Sequence, residues 1–244
     1  MEKHAAYTGL SEWFEYLNDD CDYEKWSQYL ISRLQGYPVK TGVDFGCGAG
    51  WFTRAFYRAG YQTTGVDISE EMLTKAEENA RKGGERCRFL KGDIAAFHSP
   101  EKFGFATAIN DCINYLPKHK LKSAFSCVYK SLQKGGVFLF DISSKKKFQE
   151  KIARSVNVDD REEVTYLSFG SLNGDEATLD VTLFIKEKDG KYTRFDETHT
   201  QYMYSEEEIL SALQQTGFSL IEVTGHLGEE KSTSDRVVFF AQKK

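Results

Sequence analysis

The run Val43-Asp44-Phe45-Gly46-Cys47-Gly48-Ala49-Gly50, followed by Thr64-Gly65-Val66-Asp67, spaces two acids and three glycines as a nucleotide-cofactor pocket needs them. It reads as a buried strand, a glycine turn, a helix and a second strand with a carboxylate at its end, where ribose hydroxyls can be held. A dinucleotide fingerprint would read Gly-x-Gly-x-x-Gly and present a helix N-terminus to a pyrophosphate. Here the glycines fall at Gly46, Gly48 and Gly50, and Trp51 stands where that pattern wants its last glycine. Asp44, just before the first glycine, would repel a pyrophosphate and attract an ammonium. The chemistry that suits the loop is therefore a ligand with a ribose and an ammonium and no phosphate. The glycines let the backbone approach it, and Asp44 is placed to hold the ammonium directly or through a water.

Asp67 is the candidate for a bidentate grip on both ribose hydroxyls. Capping the next helix is the other use of such an acid, but Ser69 already serves it. Gly92-Asp93-Ile94 follows a third strand, and Asn110-Asp111-Cys112-Ile113-Asn114-Tyr115-Leu116 follows a fourth. Strand ends at this edge of an open sheet face the ligand crevice. Asp111, Asn114 and Tyr115 are thus candidates for the reacting region, with a strand cap, a turn residue and a packed aromatic as the competing readings. His199 is the histidine best suited to proton removal, since an imidazole titrates near neutrality; a histidine satisfied on a strand is the competing reading. Cys47 suits a tight turn by its size, and no base stands beside it in sequence.

The glycine loop resembles motif I of the class I S-adenosylmethionine-dependent methyltransferases. With Asp67, Asp93 and the Asp111–Tyr115 segment, the chain is similar to a bacterial small-molecule branch that includes glycine, sarcosine and aminosugar N-methyltransferases. The resemblance implies S-adenosylmethionine as cofactor and S-adenosylhomocysteine as product. It implies Asp44, Gly46, Gly48, Gly50, Asp67, Ile68, Asp93 and Ile94 as cofactor-binding residues, with Ile68 on the adenine face and Asp93 reading the adenine amino group. Asp20-Cys21-Asp22-Tyr23-Glu24-Lys25-Trp26 is similar to a segment that precedes the core in this branch. Phe14-Glu15 occupies the place of its usual Tyr-Asp pair, leaving Tyr16 and Tyr7 as nearby tyrosines. The run Glu197-Thr198-His199-Thr200-Gln201-Tyr202 resembles strands that cover the acceptor pocket. His199, Asp111 and Tyr115 are the expected catalytic residues, and Trp51, Tyr16 and Tyr115 are candidates to face a sulfonium by cation–π attraction. The segment at 110–115 lacks the Asn/Asp-Pro-Pro-Tyr of adenine-amino and glutamine-amide methyltransferases.

The elements that must position these groups follow from periodicity. Leu10 to Leu34 is helical and aromatic, with Asp20 or Asp22 as a cap. Strands and helices then alternate to Asp141, which implies α/β architecture: a seven-stranded, mostly parallel, doubly wound sheet. After about Glu150 the rhythm changes to strands at Glu162–Phe169, Glu176–Lys188 and Lys191–Tyr204, with turns at Asn173-Gly174 and Asp189-Gly190. These predict a small inserted antiparallel cover. The expected division is 1–150 for N-terminal helices and cofactor core, 151–204 for the cover, and 205–244 for the helix and strands that complete the core. Ser205 and Glu208 form a capping box.

The 244 residues carry a net charge of −5, with no basic stripe of the kind nucleic acids require. Lys145-Lys146-Lys147 reads as a solvated helix start. No stretch approaches a membrane span, and the N-terminus lacks the apolar core of a signal peptide. Five scattered cysteines without a Cys-x-x-Cys pair argue against a disulfide framework or zinc site and for the cytoplasm. The histidines show no metal-ligand spacing. The expected partner is a small-molecule acceptor, with neither nucleic acid nor membrane, in a monomer or homodimer. Methyl transfer to that acceptor, at an amine nitrogen, competes with two other readings: a non-catalytic cofactor-binding protein and an NAD-dependent oxidoreductase.

Overall fold

The computed structural model describes residues 9–19 and 21–244. Four parallel strands carry the glycine loop and its neighbours: β1 (Thr41–Phe45), β2 (Gln62–Asp67), β3 (Arg88–Lys91) and β4 (Phe103–Ala108). β5 (Leu132–Ser143) pairs parallel with β4. Between them run α3 (Trp51–Arg58), α4 (Glu70–Lys82) and α5 (Leu121–Ser131), preceded by α1 (Phe14–Leu17) and α2 (Tyr23–Leu34). The chain closes with α7 (Glu206–Thr216), β10 (Phe218–Gly225) and β11 (Arg236–Lys243). The sheet order is β10-β11-β5-β4-β1-β2-β3, with β11 antiparallel to both neighbours. The chain reverses direction across the sheet between β1 and β4, so a crevice opens at the carboxyl ends of these strands.

Alternation along the strands builds two cores. Phe138, Phe140, Phe239 and Ala241 face α5 and α7 on one side; Val137, Leu139, Val238 and Phe240 face α2 and α3 on the other. The expected caps form. Ser69 Oγ accepts the Met72 N–H, and Ser205 and Glu208 make the reciprocal capping box. Asp22 caps α2 through the Lys25 N–H; Asp20 lies outside the described residues. The expected helical stretch from Leu10 is broken into a 3₁₀ turn at Leu10–Glu12, then α1, then α2.

The cover has one more strand than the sequence predicts. β6 (Val156–Asp160) joins β7 (Val164–Asn173), β8 (Glu176–Lys186) and β9 (Tyr192–Tyr202) in an antiparallel sheet in that order. The short Val-Asn-Val-Asp alternation of β6 has both valines exposed, and pairing with β7 alone makes it a strand. Gly174 and Gly190 take the left-handed turn positions, so both hairpin turns fall beside their predicted places. The 145–147 lysines form a one-turn helix, α6 (Lys145–Lys147), capped by Ser144 Oγ.

Leu10, Trp13, Phe14 and Leu17 pack on Val164, Val181 and Leu183 of the cover, so the N-terminal turns line its inner face. Asn114 locks the other side. Its amide donates to the Tyr202 carbonyl at 2.9 Å and its oxygen accepts the Ser143 N–H at 2.8 Å. Asn114 is thus a bracket between β9 and β5, not a lining residue. Among the described residues no helix is long and apolar enough to cross a membrane.

Candidate functional site

A largely apolar cavity of about 270 Å³ lies at the carboxyl ends of β1 to β4. Its floor is the glycine turn. Gly46 takes φ +65°, and a Cβ there would stand 2.4 Å from Cys112 Sγ, so only glycine closes the turn. Gly48 lines the cavity, and its N–H donates to Asp67 Oδ2 at 2.9 Å. Gly50 differs from expectation. It is the left-handed N-cap of α3, where a Cβ would come within 3.0 Å of Ala76 and Phe89, and it does not line the cavity. Its role is close packing of the turn on α4 and β3.

Asp67, Ile68, Asp93 and Ile94 all line the cavity. Asp67 is fixed by two backbone donors, Gly48 N–H on Oδ2 and Ser69 N–H on Oδ1, both at 2.9 Å. Each oxygen keeps a lone pair for a ligand hydroxyl. Burial pushes this carboxyl up from its ordinary pKa, against those hydrogen bonds. Ile68 is 67% exposed, an apolar side chain held at the cavity rim. Asp93 Oδ1 accepts the Ala95 N–H at 2.8 Å, and Oδ2 pairs with Lys120 at 3.2 Å.

Asp44 departs from its expected role. It turns away from the cavity into the core, where Oδ2 accepts from Thr53 Oγ1 and Oδ1 from Thr107 Oγ1, each at 2.7 Å. A direct hold on a ligand ammonium is not the geometry here; Asp44 ties β1 to α3 and β4. Burial, opposed by those hydroxyls, raises its pKa to about 6. Its folded value thus exceeds the unfolded one, so the stability it contributes is fully present below about pH 4 and lost as pH rises through about 6. The stability advantage of wild type over Asp44→Asn is expected to shrink by about 2 kcal/mol between pH 4 and pH 7. Urea unfolding at the two pH values measures this, and a difference independent of pH would refute the shift.

Cys47 lines the cavity, but burial, then the charges of Asp67 and Asp44, push its thiol well up. It is no nucleophile at neutral pH. Trp51 and Tyr23, a pairing with no signal in the sequence, form part of the wall, their rings 5.0 Å apart. Trp51 Nε1 is buried without a hydrogen-bond partner among the described residues. The fixed Asp67 matches the ribose of S-adenosylmethionine and the exposed Ile68 its adenine, in a largely apolar cavity. The residues present fit that cofactor.

A second, polar chamber of about 770 Å³ adjoins the first, and Phe14, Asn110 and Tyr115 line both. Asp111 lies here, not in the cofactor cavity, and its chemistry is spent within the protein. It accepts from Ser143 Oγ at 2.7 Å, Lys147 Nζ at 3.0 Å and Arg236 Nη1 at 2.9 Å. Arg236 also bonds Asp141 and Asn110. Burial alone would raise the Asp111 carboxyl, but Arg236 and Lys147 hold it well below the usual carboxylate range. Asp141, deeper, is held up by burial against the pull of Arg236. Asn110 and Asp111 both have positive φ, near 64° and 66°, and their N–H groups are pinned by Asp141. Asp111 anchors a strained turn, and its carboxylate is engaged by Ser143, Lys147 and Arg236 rather than held free beside the cofactor cavity.

The structure brings His199 and Tyr115, separate candidates in the sequence, into contact, although His199 lines neither chamber. The Tyr115 hydroxyl lies 3.2 Å from His199 Nδ1, and His199 Nε2 lies 3.2 Å from Glu197 Oε2. Glu197 carries no signal of its own in the sequence; period-two alternation on β9 from His199 points to it. Tyr16 does not face the cavity. It is 45% exposed with the Arg161 guanidinium 4.7 Å over its ring. Tyr7 lies outside the described residues. Glu15 lines the cofactor cavity, paired with Arg54 at 3.3 Å.

Comparison with known proteins agrees with this geometry. Residues 43–136 match a family model described as a methyltransferase domain. The protein named "Putative methyltransferase YqeM" of Bacillus subtilis (strain 168) is 30% identical over 97% of this chain and 97% of its own. The crystal structure of an S-adenosylmethionine-dependent methyltransferase from Clostridium acetobutylicum ATCC 824 superposes with a TM-score of 0.88 at 27% identity, covering 97% of this chain and 98% of that one. The sugar N-methyltransferase KedS8 from Streptoalloteichus sp. ATCC 53650 shares the fold, with a TM-score of 0.82 at 17% identity over 100% of this chain and 95% of that one.

Proposed function

This chain belongs to the class I S-adenosylmethionine-dependent methyltransferases, and from that premise we propose that it methylates the amine nitrogen of a small, polar acceptor. The observation that carries the proposal is the junction of the two chambers at Phe14, Asn110 and Tyr115. An apolar cavity suited to the cofactor opens there onto a chamber lined by charged and amide side chains, which suits a hydrophilic molecule. The fold shared with a protein named as a sugar N-methyltransferase supports the nitrogen acceptor.

S-adenosylmethionine supplies an electrophilic methyl group on a sulfonium. The protein contributes alignment and exclusion of water. Asp67, Ile68 and Trp51 fix the cofactor end of the line. Tyr115, at the junction, and Gln201, in the polar chamber, orient the acceptor. The cysteine usage supports a cytoplasmic setting.

The test is release of S-adenosylhomocysteine from the purified protein with S-adenosylmethionine and three panels: aliphatic amines, phenols and carboxylic acids. Turnover with amines is expected. Turnover confined to the hydroxyl or carboxyl panels would overturn the nitrogen acceptor. Tight cofactor binding with no turnover in any panel would favour a non-catalytic binding protein.

A further inference from the structure

Period-two alternation on β9 sends Glu197, His199 and Gln201 to the inner face of the cover, where all three are buried. Glu197 is 1% exposed and His199 4%, so neither can exchange its partners freely with water. Glu197 Oε1 accepts the backbone N–H groups of Gly9 and Leu10, and Oε2 faces His199 Nε2 at 3.2 Å. On the other side of the ring, His199 Nδ1 meets the Tyr115 hydroxyl at 3.2 Å. A carboxylate can only accept, so the ring proton belongs on Nε2. Nδ1 then carries a lone pair, and Tyr115 O–H donates to it.

Resting on the amine-acceptor reading above, we propose that Tyr115, His199 and Glu197 form a proton relay that deprotonates an aliphatic ammonium acceptor, with Glu197 as the positioning residue. An aliphatic amine is mostly protonated near neutral pH, and an ammonium has no lone pair to attack with. The Tyr115 oxygen takes the ammonium proton as its own hydroxyl proton passes to His199 Nδ1. The imidazole becomes an imidazolium, and its Nε2–H stays on Glu197. The freed amine lone pair forms the N–C bond while the C–S bond breaks, its electron pair returning to sulfur and cancelling the sulfonium charge. The methylated nitrogen carries the positive charge away, and the imidazolium returns its proton to solvent through Tyr115. The relay makes no demand on a carboxylate acceptor, which arrives ionised with lone pairs available. It therefore suits an acceptor that must first lose a proton, and the amine reading makes that acceptor an ammonium.

Glu197→Gln separates orientation from support. The Gln carbonyl must face the two N–H groups of Gly9 and Leu10, which leaves its NH₂ toward His199 Nε2. That NH₂ donates, so Nε2 must accept, the ring proton moves to Nδ1, and His199 no longer accepts from Tyr115. Nitrogen-15 spectra of ring-labelled protein are expected to show Nε2 protonated in wild type and Nδ1 protonated in E197Q, at equal melting temperature. With an aliphatic amine that wild type methylates, E197Q is expected to lose at least ~10-fold in kcat, with KM for S-adenosylmethionine within twofold. Wild-type kcat in E197Q, or an unchanged tautomer, overturns the relay. No turnover by wild type with any aliphatic amine overturns instead the acceptor reading beneath it, and the spectra tell the two failures apart.

Discussion

Asp67→Ala is expected to weaken S-adenosylmethionine binding at least ~100-fold, about 3 kcal/mol, because it removes two charge-assisted hydrogen bonds to the ribose. The carboxylate is already oriented by Gly48 and Ser69, so the cofactor meets it without a cost in side-chain freedom. Its burial also counts. A carboxyl raised by desolvation gains more from new donors than an exposed one would. Titration calorimetry of wild type and variant at one pH measures the loss. Asp67 also holds the Ser69 N–H at the start of α4, so the melting temperatures must be compared; Asp67→Asn, which keeps one acceptor oxygen, should fall between the two. An affinity within fivefold of wild type in D67A would remove Asp67 from the cofactor site.

Arg236→Met is expected to destabilise the protein by about 3–5 kcal/mol, the range for a buried ion cluster that loses one partner. Arg236 and Lys147 balance Asp111 and Asp141 in a cluster whose carboxyl groups are largely closed to water. Without the guanidinium, the carboxylates repel each other at the foot of the strained Asn110-Asp111 turn. The sign with pH follows. In the variant both acids bind protons more readily, so the deficit is greatest near pH 7 and narrows toward pH 4. Denaturant unfolding at the two pH values checks this. A deficit below ~1 kcal/mol at pH 7 would place the cluster with ordinary surface pairs. Because Asn110 lines both chambers, the same variant should lower activity at temperatures where it is still folded.

The turn and strand ends that line the first cavity were legible in the sequence because their signals are local. Glycines at 46 and 48 mark the turn, Asp67 closes the adjacent strand, Ser69 caps the helix that follows, and Asp93 ends the next strand. All of these depend on backbone conformation within a few residues, which residue type reports directly. The parallel sheet was legible for the same reason, as repeated strand–helix units leave few topologies open.

What the sequence could not decide was where each side chain finds its partner. Asp44 belongs to the loop by spacing, yet Thr107 on β4 turns it into the core. Asp111 sits at a strand end that faces the ligand crevice, yet Arg236, far along the chain, claims it. Glu197, His199 and Tyr115 become one chain of hydrogen bonds only when β9 docks against the turn after β4. β6 is a strand only because β7 offers it an edge. The sequence by itself determined the cofactor class and the sheet, because turns, caps and strand ends are fixed by neighbours along the chain. Only the tertiary structure decided which acids are tied into the protein and which line the cavity, because burial and distant counter-charges set what a carboxylate can do.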